Sequence, residues 1–139
     1  MKLKLLCLCL IISPLVANGP SGFVLWKKGE PPAGTGKLDF GNHSLAISHR
    51  DKTGMAEVHD KWVDVLVIQS GEANLVIGGE VVNPKTIAPS ETQGDTIRGG
   101  SPNMVGPGDV IRIPAGVPHQ FLLDPGKQIT YFVVKVAAQ

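Results

Sequence analysis

The chain has 139 residues, 42% of them hydrophobic, and a formal charge of +1, so it can bury one core but is too short for two. It has no basic stripe and only four phenylalanines and one tyrosine, which argues against a nucleic-acid partner. No segment supplies the ~20 consecutive apolar residues of a membrane-spanning helix, which argues against a membrane-embedded protein.

The first residues have the layout of a secretory signal peptide. Lys2 and Lys4 give a basic start, an apolar run covers positions 5–12, and small residues follow. We predict a signal peptide over 1–19 and a secreted or periplasmic protein, with an uncleaved anchor as the competing interpretation. Loss of Lys2 and Lys4 with this segment gives the predicted mature chain a charge of about −1. Both cysteines also lie inside the segment, so the mature chain can form neither a disulfide nor a thiolate metal site.

Glycine and proline divide the rest of the chain into short runs that are rich in β-branched residues. The 17 glycines and 11 prolines are many for a helical domain, and no window keeps a helical apolar period. We therefore predict an all-β antiparallel barrel or sandwich. The predicted strands cover 44–49, 55–59, 62–69, 73–78, 109–114, 119–123 and 129–136.

Two regions fall outside this rhythm. Residues 26–43 are polar and rich in glycine and proline, which favours an arm or loop, so we divide the mature chain into an arm at 20–43 and a domain at 44–139. Residues 83–109 exceed an ordinary hairpin connection, which predicts a functional or disordered loop. Within it, residues 95–100 could form a short edge strand.

The segment AEVHDKWVD holds the first candidate site residues. Glu57 and His59 are two positions apart on a predicted strand, so their side chains share one face. If the chain turns near Lys61, Asp64 begins the neighbouring strand and can face the same interior. His119, far along the sequence, opens a later strand after the turn-forming PAG of residues 114–116.

These two segments have a paired spacing. The first reads Glu57-x-His59, four residues, Asp64, six residues, Gly71; the second reads Gly108, five residues, Pro114-x-Gly116, two residues, His119. The spacing resembles the two motifs of the cupin superfamily over residues 44 to 136. The resemblance implies a single antiparallel cupin (jelly-roll) β-barrel that holds a metal ion, with Glu57, His59, Asp64 and His119 at the four ligand positions.

The sequence departs from the family motifs at four places. Glu57 stands where the family has histidine, Asp64 where it has glutamate and Leu123 where it has asparagine, and the opening glycine is displaced to Gly54. The side chains at all four ligand positions are still competent ligands. A chain that had lost its metal would be expected to carry apolar residues there.

The chemistry of such a set is that of a borderline to hard ion. Two imidazoles with one or two carboxylates suit divalent Fe, Mn, Ni, Zn or Cu. If both Glu57 and Asp64 bind, the ligands neutralise a divalent ion. If only Asp64 binds, Glu57 remains beside the metal as a candidate general base.

The remaining candidates are weaker. We expect His43 and His49 to be structural, Asp60 and Lys61 to form a solvated turn, and Trp62 to cover a barrel mouth. A cation at the mouth, from Arg98 or Arg112, would favour an anionic ligand, but a lone arginine is more often surface decoration. Phe121 and Tyr131 lie on predicted strands near the same pocket.

Three functions stay open. The chain is a metal-dependent enzyme of oxygenase, isomerase or lyase type acting on a small organic molecule, a non-catalytic cupin module that binds a small ligand or metal, or a metal-free barrel of the sugar-epimerase kind. The last explains the ligand-competent residues worst. A homodimer is an expectation from the family resemblance alone.

Overall fold

A computed structural model describes residues 22–139; the predicted signal peptide over 1–19 lies outside the described residues. No helix in the described part of the chain is long and apolar enough to span a membrane. One 3-10 turn, Lys27–Gly29, precedes the strands. These are β1 Leu38–Asp39, β2 His43–Arg50, β3 Ala56–His59, β4 Trp62–Gly71, β5 Ala73–Ile77, β6 Glu80–Val82, β7 Lys85–Ala88, β8 Glu91–Gly94, β9 Thr96–Arg98, β10 Ser101–Val105, β11 Val110–Ile113, β12 His119–Leu122 and β13 Ile129–Ala137.

The strands form two main antiparallel sheets. One has the order β1-β2-β13-β4-β11, and the other has the order β10-β5-β12-β3-β8-β7. A small third sheet pairs β6 with β9. No strand pairing among the described residues joins the two main sheets, so the jelly roll is open rather than a closed barrel.

The core lies between these sheets because strand alternation sends every second side chain inward. Leu66 and Ile68 of β4 meet Leu75 of β5 and Phe121 of β12 there. Phe121 also stacks on Tyr131 of β13 with ring centroids 4.9 Å apart. Each such buried side chain contributes about 1.5–3 kcal/mol, which fixes the relative position of the sheets.

All seven predicted strands are present, with ends within two residues of those predicted. The long-loop prediction for 83–109 is wrong, because β7, β8, β9 and β10 occupy that region. The alternation signal fails there because β7 is exposed at every position and β10 contains Pro102 at a sheet edge. The predicted edge strand in 95–100 is confirmed as β9.

The described part of the predicted arm lies against the five-stranded sheet. Trp26 packs edge-to-face on Phe132 with centroids 5.8 Å apart, and the Gln69 side-chain amide donates to the Gly29 carbonyl at 3.1 Å. Near its end the arm forms β1, in which Leu38 pairs with Leu45 of β2. These contacts order the arm on the side of the sheet that faces away from the core.

Candidate metal centre

Three candidate ligands lie together on the six-stranded sheet. Glu57 and His59 project from one face of β3, and His119 lies directly opposite Glu57 on the adjacent strand β12. One ligand atom from each of the three lies within 4.8 Å of the other two. The predicted association of Glu57, His59 and His119 is therefore observed as a group that could hold a metal ion.

Asp64 reaches this group from the other sheet. The exposed turn at Asp60 and Lys61 carries the chain from β3 across to β4, which pairs with β13 and β11 rather than with β3. Asp64 Oδ2 lies 3.4 Å from His59 Nε2 and 3.7 Å from His119 Nε2. The sequence predicted that Asp64 begins the strand next to β3. The strand that it begins, β4, lies instead in the facing sheet, and the Asp64 side chain reaches the two histidines across the interior.

The turn before His119 ties the two histidine segments together. Gly116 has φ +74°, in the left-handed region where glycine is favoured. Its amide donates to the His59 carbonyl at 2.9 Å, so the second motif is anchored on the backbone of the first. This contact sets the distance between the two imidazoles, whose ring centroids are 5.1 Å apart.

Hydrogen bonds set the tautomers of both imidazoles. His119 Nδ1 lies 3.1 Å from the Val117 carbonyl, and His59 Nδ1 contacts the Glu91 carboxylate. Both partners accept hydrogen bonds, so each Nδ1 carries the proton and donates it. A neutral ring in this tautomer has a lone pair at Nε2, and both Nε2 atoms lie near Asp64 Oδ2.

Burial favours the neutral form of His119. Loss of solvent around its ring, the largest influence, lowers the pKa of His119, although the Val117 carbonyl and the Asp64 carboxylate act in the opposite direction. A neutral imidazole is the form that binds metal ions. The buried position of His119 therefore prepares it as a ligand.

The donor set fits a divalent ion. Two ligand atoms that each lie about 2.1 Å from one ion are roughly 3.0 Å apart in octahedral and roughly 3.4 Å apart in tetrahedral geometry. The observed separations around Asp64 Oδ2, 3.4 and 3.7 Å, are close to these values. Both Nε2 atoms lie beside the buried carboxylate of Asp64, and a cation bound there would satisfy these groups.

Glu57 has partners of its own. Its Oε2 accepts a hydrogen bond from Arg50 Nη2 at 3.3 Å, and its Oε1 accepts one from Gln93 Nε2 at 3.1 Å. Each carboxylate oxygen has a second lone pair, so these bonds leave Glu57 able to bind a metal ion. Together the two bonds fix the position of the Glu57 carboxylate beside the imidazoles.

Sequence reasoning missed the contribution of β8. In the β3–β8 pairing, Glu91 lies opposite His59 and Gln93 lies opposite Glu57. Each therefore supports one residue of the first motif, as outer partners commonly do at metal sites. The sequence does carry a signal: Glu91 and Gln93 are two positions apart, the same spacing as Glu57 and His59. They lie, however, within residues 83–109, where the sequence predicts a loop.

Two cavities adjoin the site. One of about 160 Å³ is lined by the four candidate ligands together with Arg50, Phe121, Tyr131 and Lys135. The other, of about 290 Å³, shares Glu57, His59 and Lys135 with it and includes Trp62. Trp62 thus borders an approach to the site, in keeping with its predicted place at a mouth.

Arg98 and Arg112 lie on the surface, as expected of lone arginines, and supply no cation at the mouth. Arg112 is exposed on β11 and borders neither cavity, and the Arg98 side chain is 73% exposed near Glu80. The arginine in the cavity is Arg50, which sequence reasoning did not single out. His43 stacks on Phe40 and His49 bonds to the Thr130 hydroxyl, both away from these cavities.

Solved structures share this architecture. A Bacillus halodurans protein superposes with a TM-score of 0.59 at 17% identity, over 87% of this chain and 85% of that one. A candidate mannose-6-phosphate isomerase from Ralstonia eutropha superposes with a TM-score of 0.52 at 15% identity, over 74% and 82%. A cupin protein from Bacteroides fragilis matches with a TM-score of 0.49 at 16% identity, over 70% and 67%.

The chain has the cupin fold, as the paired motifs and the two facing sheets predict. Identities this low show a shared fold and no more. The chain spans 58% of the length of a polyketide cyclase from Streptomyces resistomycificus and 38% of a DMSP lyase from Ruegeria pomeroyi. No family profile matches the sequence. No curated protein matches it either.

Proposed function

We propose that this protein is a metal-dependent enzyme that acts on a small organic molecule, with His59, His119, Asp64 and Glu57 as the metal ligands. The observation that carries the proposal is the convergence of both Nε2 atoms on Asp64 Oδ2, while both Nδ1 protons are already donated elsewhere. A cation at this point would compensate a buried carboxylate and two buried imidazoles, which are costly to leave unpaired.

A bound divalent ion would supply Lewis-acid or oxygen-activating chemistry. The chain's own residues prepare the site for it. Glu91 and the Val117 carbonyl hold the imidazoles in one tautomer, and Arg50 holds the Glu57 carboxylate in position. The stacked rings of Phe121 and Tyr131 line one side and limit the entry of water.

Space beside the ligands favours an enzyme over a closed metal store. The cavity of about 160 Å³ has room for about five water molecules, enough for a small substrate. The cavity is smaller than most ligand pockets. This small size supports the second candidate function, a non-catalytic module that binds a metal or small ligand. The two differ in turnover: only an enzyme converts a substrate with the ion retained.

The metal proposal is tested by elemental analysis of protein that is expressed from the complete sequence and purified in the form that the cell produces. We expect close to one divalent ion per chain, with Fe, Mn, Ni, Zn and Cu all compatible with the donor set. Protein that is metal-free and cannot be loaded with any of these ions would overturn the proposal.

Glu57→Gln separates the two roles of Glu57. We expect weaker metal binding, because the amide offers a neutral oxygen where a carboxylate oxygen would bind. Metal content and activity are measured on the same sample, and Glu80→Gln, the same change in a side chain that is 78% exposed, is the control. Full metal content with lost activity would instead make Glu57 a base.

Export stays a prediction for residues 1–19. N-terminal sequencing of protein recovered outside the cytoplasm should begin near residue 20, because the small residues before it suit signal-peptide cleavage. Protein that begins at Met1 would contradict it.

A further inference from the structure

Lys135 is a charged group at the site that the protein leaves without a hydrogen-bond partner. It faces Asp64 across the β13–β4 pairing, and its Nζ lies 3.7 Å from Asp64 Oδ1 and 3.8 Å from Glu91 Oε1. Both separations exceed hydrogen-bond distance. Within residues 22–139 its ammonium donates no hydrogen bond, although the side chain is only 25% exposed and lines both cavities.

Arg50, the other cation that lines the first cavity, already donates hydrogen bonds to neighbouring side chains. Its Nε donates to the Tyr131 hydroxyl at 3.0 Å, its Nη2 donates to Glu57, and its guanidinium lies 5.8 Å from the centre of the Phe121 ring. The two cations therefore differ: Arg50 holds neighbouring side chains in place, and Lys135 keeps three donors for something that enters the cavity.

The charges around the site favour an anion. The first cavity is lined by two carboxylates, Glu57 and Asp64, and by two cations, Arg50 and Lys135, so these four charges cancel. Glu91 and Lys37, which line the second cavity, cancel in the same way. A divalent ion would therefore add two positive charges. Because an uncompensated charge in a poorly hydrated site is costly, an anionic ligand would be favoured.

We propose that the small molecule bound at this site is an organic carboxylate, whose carboxylate group accepts hydrogen bonds from Lys135 Nζ. The inference rests on the proposed function, because the metal ion supplies the positive charge that calls for an anion. The small cavity favours a compact, planar carboxylate over the bulkier tetrahedral phosphate group.

Acetate binding to the Co(II)-loaded protein tests this inference. Acetamide has nearly the same shape without the charge, so the pair isolates the charge. We expect acetate to change the visible Co(II) spectrum in a saturable way and to bind at least about tenfold more tightly than acetamide, as expected for a hydrogen bond to a charged group.

Variants at two lysines assign the effect to one residue. Lys135→Met should keep Co(II) and weaken acetate binding by about 10-fold to 100-fold, and Lys135→Arg should restore most of it. Lys85→Met, on the exposed strand β7, makes the same charge change and should leave acetate binding unaltered.

The outcomes separate the two proposals. Wild-type protein that cannot be loaded with Co(II) would overturn the metal site and the carboxylate together. Protein that binds Co(II) but binds acetamide as well as acetate would overturn only the carboxylate. Unchanged acetate binding in Lys135→Met, or loss of Co(II) from it, would overturn the role of Lys135, because removing a cation should not weaken metal binding.

Discussion

The space between the two sheets has a charged half and an apolar half, although the same strands build both. Along β4 the inward side chains run from Asp64 to Leu66 and Ile68, and along β12 they run from His119 to Phe121. Strand alternation decides which side chains point inward, and the position along the strand decides which half they enter. The residues that stabilise the fold therefore lie in the apolar half, and the candidate metal ligands lie in the charged half.

The two halves have opposite energetic effects. The apolar half removes large side chains from water, which stabilises the folded state. The charged half desolvates Asp64 and two imidazoles, and Asp64 Oδ1 has no hydrogen-bond partner among the described residues. Such groups cost stability unless a partner compensates them. Variants in the two halves should therefore affect different measurements.

The largest loss of stability is expected in the apolar half. Ile68 is 2% exposed, so Ile68→Ala should lower the free energy of unfolding by about 2–5 kcal/mol through lost burial and a new cavity. Denaturant unfolding measures this. Val110→Ala, at a position that is 71% exposed, should change it by less than about 0.5 kcal/mol. Equal effects of the two variants would contradict the assignment of the core.

Removing a histidine should mainly affect metal binding. His59→Ala or His119→Ala should weaken binding by more than about 100-fold, above the range for residues that only support a ligand. Competition with a chelator measures the affinity. His49→Ala is the control, because His49 bonds to Thr130 away from the site. Loss of metal from the control would mean that the ligands are misassigned.

A smaller effect is expected from Glu91, which orients His59 without belonging to the predicted ligand set. Glu91→Ala should weaken metal binding by about 10-fold to 100-fold, because the His59 ring loses the acceptor that fixes its tautomer. Glu80→Ala removes the same charge from a side chain that is 78% exposed and should have no effect. If both variants bind metal like the wild type, Glu91 has no supporting role.

The sequence predicted the fold and much of the candidate site because their signals are local. Motif spacing located Glu57, His59, Asp64 and His119, and alternation placed the first two on one face. Gly71, also part of that spacing, has φ +75°, and a Cβ atom there would clash with the Gln128 carbonyl.

What the sequence did not predict depends on long-range pairing. Glu91 reaches His59 only because β8 pairs with β3, and β8 lies among short strands that are interrupted by glycine and proline. Arg50 lies one residue past the predicted end of its strand, and Lys135 lies at the site only because β13 pairs with β4 so that it is opposite Asp64. Such partners become visible only when the register is known.

Anomalous diffraction from crystals loaded with Co(II) would locate the metal ion directly. We expect one strong peak in the charged half, about 2.0–2.3 Å from His59 Nε2, His119 Nε2 and a carboxylate oxygen of Asp64. A peak bound by Nδ1 of either imidazole, or one that lies away from these three residues, would contradict it.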